Sequence, residues 1–151
     1  MRFLRTPSLP VLLIFALGAC GSDSGTGPDY GDGNGSGNGD TRTILPDPSF
    51  TSVIQEIFNR KGCTASSCHG SSQQAGLNLA SGSSYANLVN VQATQSTAAR
   101  VIPGDANGSY LVVKVEGRQT VGARMPLSGS PLDNIDLTNL KNWITQGAKN
   151  N

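Results

Sequence analysis

Apolar residues recur with helical spacing near both ends of the patterned part of the chain. In SFTSVIQEIFNRKGC, residues 49–63, Phe50, Val53, Ile54, Ile57 and Phe58 fall on one helical face. Ser49, Thr51 and Ser52 can each cap its start, and Ser52 with Gln55 has the spacing of a capping box. Gly62 supplies a C-terminal stop. In SPLDNIDLTNLKNWITQGAKN, residues 130–150, Leu137, Leu140, Trp143, Ile144 and Ala148 form a second apolar stripe. Asp133 is its candidate N-cap, and Asp136 lies at the favourable end of the helix dipole. The pattern therefore predicts two amphipathic helices, with a loop-rich region between them.

Two shorter elements are expected in that region. SSYANLVN, residues 83–90, reads as a short helix. SYLVVKVEG, residues 109–117, carries strand-favouring valines, but the preceding PGDANGS has the character of a turn and N-cap. With no partner strand in sight, a short helix is the better assignment. The aromatic residues after Tyr30 are Phe50, Phe58, Tyr85, Tyr110 and Trp143. That is a thin core for roughly a hundred residues, and a large apolar cofactor would fill it. The expected fold class is all-α.

The first forty residues follow a different logic. Arg2 and Arg5 precede VLLIFAL, residues 11–17, an apolar run of signal-peptide length that is too short to span a bilayer as a helix. LGAC, residues 17–20, resembles the lipobox of bacterial lipoproteins. That resemblance implies cleavage before Cys20 and a lipid on Cys20. Residues 21–40 hold eight glycines and almost nothing apolar. Such a segment cannot bury enough surface to offset its ordering entropy, so a flexible linker is expected, with a reach on the order of 25 Å. The expected organisation is a signal peptide over 1–19, a lipidated cysteine and linker over 20–46, and a folded domain over 47–151. Asp32, Asn34 and Ser36 faintly mimic a calcium loop, but Thr43 stands where its bidentate Glu belongs. The alternating glycines lack the strand and helix of a nucleotide-binding loop.

The whole chain has a formal charge of +1, and removal of residues 1–19 with their two arginines leaves about −1. No basic patch with interleaved aromatics points to nucleic acid. Membrane attachment would rest on lipid alone.

The candidate chemistry lies in GCTASSCHG, residues 62–70. Cys63 and Cys68 are followed at once by His69, the chain's only histidine. Thioether attachment of haem needs two cysteines on a tight turn and a histidine next to the second. Here the spacer is Thr64, Ala65, Ser66 and Ser67, longer than the common two residues. Met125, in GARMPLSG, is the only methionine beyond the signal segment and could supply a second axial ligand; its alternative role is gap-filling core. Other chemistries stay open at this point. An exported protein can hold a Cys63–Cys68 disulfide. Cys63, Cys68, His69 and Met125 could bind a soft metal such as copper, or zinc. A Cys–His nucleophile would need an orienting group that is not evident.

Taken in order, Ile57-Phe58, Cys63, Cys68-His69-Gly70, Gly76-Leu77, Pro103-Gly104-Asp105, Ser109-Tyr110-Leu111, Met125-Pro126, Trp143-Ile144 and Gly147-Ala148 resemble the planctomycete-type cytochrome c domains, close to class I cytochromes c. The resemblance runs from about Phe50 to Ala148. It implies a small all-α, cytochrome c-like domain around one covalent haem c. By that analogy Cys63 and Cys68 attach the haem, His69 is the proximal iron ligand and Met125 the distal one. Arg100 and Arg124 are candidate propionate partners or plain solvated side chains. The implied role is a membrane-tethered monohaem electron carrier serving a redox partner protein, not an enzyme in itself. The competing expectation is a haem-free lipoprotein interaction domain closed by a Cys63–Cys68 disulfide. Either would be lipid-anchored in the bacterial cell envelope and face the periplasm, with Gly21 after the lipidated cysteine favouring the outer membrane.

Overall fold

A computed structural model describes residues 41–151 of the chain. The expected signal peptide, the lipid on Cys20 and most of the linker lie outside the described residues.

Within them, a π-helical turn over Phe50–Ile54 runs directly into α1, Gln55–Arg60. Next come a single 3-10 turn over Gln74–Gly76, α2 over Ser84–Leu88, α3 over Tyr110–Glu116 and α4 over Asn134–Thr145. Among the described residues there is no β-sheet, only isolated bridges such as Val89 to Val101. The fold class is all-α, and SYLVVKVEG is helical, with Ser109 at its N-cap.

The first helix starts where its cap dictates. Ser49 is extended, and its hydroxyl accepts from the Ser52 amide. At the far end Gly62 adopts φ +71°. Its amide donates to the Asn59 carbonyl, and the Cys63 amide donates to that of Phe58 at 2.9 Å. This left-handed stop turns the chain sharply into the cysteine motif. Helix α4 is capped by Asp133, whose carboxylate accepts from the Asp136 amide.

The two predicted stripes make the core. Phe50, Ile54, Ile57 and Phe58 pack with Leu140, Trp143, Ile144 and Ala148, joined by Leu79, Leu88, Val101 and Val112. The Phe50 ring centre lies 5.1 Å from Trp143 and 5.2 Å from Tyr85. Such aromatic contacts add to the area they bury. The π-helical turn does not break the stripe, because Phe50 and Ile54 remain buried.

Packed structure begins upstream of the boundary expected near Asp47. Asn139 accepts from the Leu45 amide and donates to the Thr43 carbonyl, while Asn142 donates to the Leu45 carbonyl. Residues 41–45 thus lie along α4 as a strap. The short helices leave most connections irregular, yet backbone hydrogen bonds fix them. Gly104 donates to the Ile144 carbonyl, and Arg100 donates its amide to Val91 at 2.7 Å.

Candidate functional site

The turn over residues 62–70 is wound on its own backbone. The His69 amide donates to the Cys63 carbonyl at 3.1 Å, Cys68 to Ala65 at 2.9 Å, and Gly70 to Ala65 at 3.0 Å. Gly70 is buried, and a Cβ there would run into the carbonyl oxygens of Thr64 and Ala65. The four-residue spacer therefore forms a compact coil that brings Cys63, Cys68 and His69 to one turn.

Their environments differ. Cys63 packs against the apolar core, and burial pushes its thiol up to about 11. At neutral pH it is a protonated thiol, not the thiolate that attacks electrophiles or binds metals. Cys68 is half-buried, with the Ser67 hydroxyl 3.8 Å from its sulfur. The His69 ring places Nδ1 3.0 Å from the Gln74 carbonyl. A carbonyl only accepts, so Nδ1 carries the proton and Nε2 is left as the acceptor nitrogen. Burial lowers the His69 pKa; the backbone at Gln74 and Leu77 opposes this, and the charges of Arg100 and Lys114 reinforce it. His69 is neutral at pH 7. Met125 sits on the loop after α3, where its amide donates to the Lys114 carbonyl at 2.9 Å and its peptide bond to Pro126 is cis.

The haem-centred expectation is overturned. Among the described residues no group of three or more His, Cys, Asp or Glu side chains could hold a metal ion. Cys63 and Cys68 are both free thiols. The chain matches no family model, no curated protein and no solved structure. The cytochrome c-like identity, the covalent haem c on Cys63 and Cys68 and the electron-transfer role are therefore corrected. So are the copper or zinc site and the Cys63–Cys68 disulfide. The physical reason lies in the donor set: one neutral imidazole beside two unlinked thiols, one of them packed against the core and protonated. His69 and Met125 lose the group for which they were assigned as axial ligands.

A different property of this side of the domain was hidden in the sequence. The acidic residues are used up elsewhere. Arg42, Arg60 and Lys61 converge on Asp136 and its neighbours, Arg118 and Lys141 share Glu116, and Lys149 meets Asp47. Asp105 turns back on the Gly108 amide. Among the described residues Arg100, Lys114 and Arg124 have no carboxylate partner.

Two of these cations, Arg100 and Lys114, border the His69 ring. Arg100 is only 8% exposed. Its guanidinium donates to the carbonyls of Asn87, Ala75 and Gly76 at 2.8–3.3 Å. It is buried, not solvated as a surface arginine would be, and desolvation lowers its pKa. The Lys114 ammonium reaches only the Val121 carbonyl, at 3.4 Å, and burial lowers its pKa as well. Gly122 lies over that ammonium and over Gln95, since a Cβ there would stand 3.3 Å from Lys114 Nζ and 3.4 Å from Gln95 Oε1. Arg124 lies over Gly117, the left-handed C-cap of α3. On the same loop Val121 and Leu127 are exposed apolar side chains, Leu127 at 73%. Nothing in the linear pattern singled out Lys114 or Gln95. Only the spatial pairing of charges does so.

Proposed function

We propose that this chain is a lipid-tethered, non-enzymatic docking domain of the bacterial cell envelope. The lipobox-like LGAC at residues 17–20 and the glycine-rich run after Cys20 support the tether. The helical domain then works as a binding module at the end of a flexible leash. One observation carries the docking role. Lys114 on α3 and Arg124 on the loop after it, neither with a carboxylate partner, occur together with the exposed Val121 and Leu127 of that loop. Exposed apolar groups ringed by polar ones are the usual mark of an interaction site, and aliphatic contact combined with complementary charge sets specificity and encounter rate. No nucleic-acid partner is part of this reading. The tether is tested by membrane fractionation of the native chain. It should remain with membranes through a high-salt wash, and Cys20→Ala should release it to the soluble envelope fraction. Soluble wild-type protein would overturn the tether.

A further inference from the structure

The charge pattern specifies the partner more closely. Among the described residues the ion pairs lie where α1, α4 and the strap meet, around Glu116 at the end of α3, and between Lys149 and Asp47. The cations left over are Arg100, Lys114 and Arg124. Arg100 is the telling one. A guanidinium buried this far normally has an anion beside it, because desolvated charge is costly without one. Here it has backbone carbonyls alone. These neutral acceptors satisfy its N–H groups but leave its charge uncompensated. Arg100 and Lys114 both act on the His69 ring, Arg100 and Thr94 both lie beside Gly76, and the Gln95 amide next in sequence meets the Lys114 ammonium under Gly122.

On this geometry, and resting on the docking role proposed above, we infer that the face formed by Gln95, Lys114, Arg124 and Leu127 binds an acidic segment of a partner protein. Lys114 and Arg124 make the direct contacts to Asp or Glu side chains. Arg100 supplies a fixed positive potential beneath them. Gln95 can donate to the same carboxylates, and Leu127 packs against the aliphatic part of the segment. An anionic lipid surface fits less well. It would call for many accessible cations on an open face, whereas here one of the cations is buried and another is half-buried between loops.

The test uses the full mature chain in neutral detergent and a dye-labelled hepta-glutamate peptide as the probe. Binding is read by fluorescence anisotropy at low and physiological salt. Heptalysine and a glycine-serine heptamer serve as peptide controls. Vesicles of phosphatidylcholine with one-quarter phosphatidylglycerol are offered to the Cys20→Ala chain. The expected result is saturable, salt-sensitive binding of hepta-glutamate alone, weakened at least about fivefold by Arg124→Glu and by Lys114→Glu. Lys149→Glu, at a cation already paired with Asp47, should leave it unchanged. Arg124 is exposed, so its variant is informative even if Lys114→Glu disturbs packing. No hepta-glutamate binding, equal loss in Lys149→Glu, or capture by vesicles in place of the peptide would each overturn the acidic-segment inference. Failure here would leave the docking role open to its own test, cross-linking from Leu127.

Discussion

Arg60 Nη2 lies 2.7 Å from a carboxylate oxygen of Asp136, which joins the last turn of α1 to the first turn of α4. The Asp136 side chain is 1% exposed. Arg42 reaches the same oxygen at 2.6 Å, and Lys61 stands 3.6 Å from the other. This one carboxylate thus ties the strap, α1 and α4 together. Its cationic partners keep part of their surface in water, so removing it strands them only partly. Asp136→Ala should cost about 2–3 kcal/mol, below the full penalty of a broken buried pair. Arg42→Ala should cost about 1 kcal/mol, because Arg60 and Lys61 remain. Urea unfolding midpoints check both, and a double-mutant cycle on Arg60 and Asp136 should return a coupling well above that of an exposed pair.

Gln55 is a second polar tie within the core. Its amide donates to the Leu79 carbonyl at 3.0 Å and to Asn59 at 3.1 Å, and its oxygen accepts from the Ser84 hydroxyl. It fastens α1 to the start of α2. Gln55→Leu would keep much of the volume while orphaning the buried Ser84 hydroxyl and the Leu79 carbonyl. The expected loss is about 1–3 kcal/mol, measured by urea unfolding. Pairing it with Ser84→Ala should recover part of that loss.

Tyr110 presents the opposite case. Its hydroxyl is buried and has no hydrogen-bond partner. Tyr110→Phe removes a desolvated polar group and no hydrogen bond. Stability should therefore change by less than about 0.5 kcal/mol, or rise slightly. A loss of more than about 1 kcal/mol on thermal or urea unfolding would mean that the hydroxyl has a partner.

His69 sets an acid limit. Its folded pKa lies below the ordinary value of 6.5, chiefly through burial. Below that value the unfolded chain takes up a proton that the folded chain resists. Stability is therefore fully present above about pH 6.5 and declines as the pH falls from there toward the folded pKa. Glu116 is also depressed: burial alone would raise it, but Lys141 and Arg118 outweigh that. Its contribution is fully present above the ordinary carboxylate pKa and is lost as the pH falls from there through the lowered folded value. Urea midpoints at pH 7, 6 and 5 should fall in the wild type. The slope between pH 6.5 and 5 should be shallower in His69→Gln.

The helical frame was legible in the chain because local signals agreed. Ser49, Gly62 and Asp133 sit at their expected boundaries. The stripes from Phe50 to Phe58 and from Leu140 to Ala148 are the buried ones. The strap over residues 41–45 was not legible, since it is held by Asn139 and Asn142, whose partners are backbone atoms more than ninety residues away. The site was misread for a related reason. Cys63, Cys68 and His69 are neighbours in sequence, and the turn does bring them together. Adjacency says nothing of burial, however, and burial against the core leaves Cys63 protonated. Lys114 carried no linear signal, and Arg124 was read only as a propionate partner or a solvated side chain, because what distinguishes them is the carboxylates that other cations have taken.

The central claim is that partners meet the domain on the loop after α3. Photo-cross-linking in the cell envelope tests it most directly, with a photoreactive side chain placed at Leu127 and, as a comparison, at the exposed Thr51 beside the chain terminus. The account predicts one dominant cross-linked species from position 127, reduced by Arg124→Glu and absent from position 51. Equal adducts from both positions, or a dominant species from position 51 alone, would contradict it.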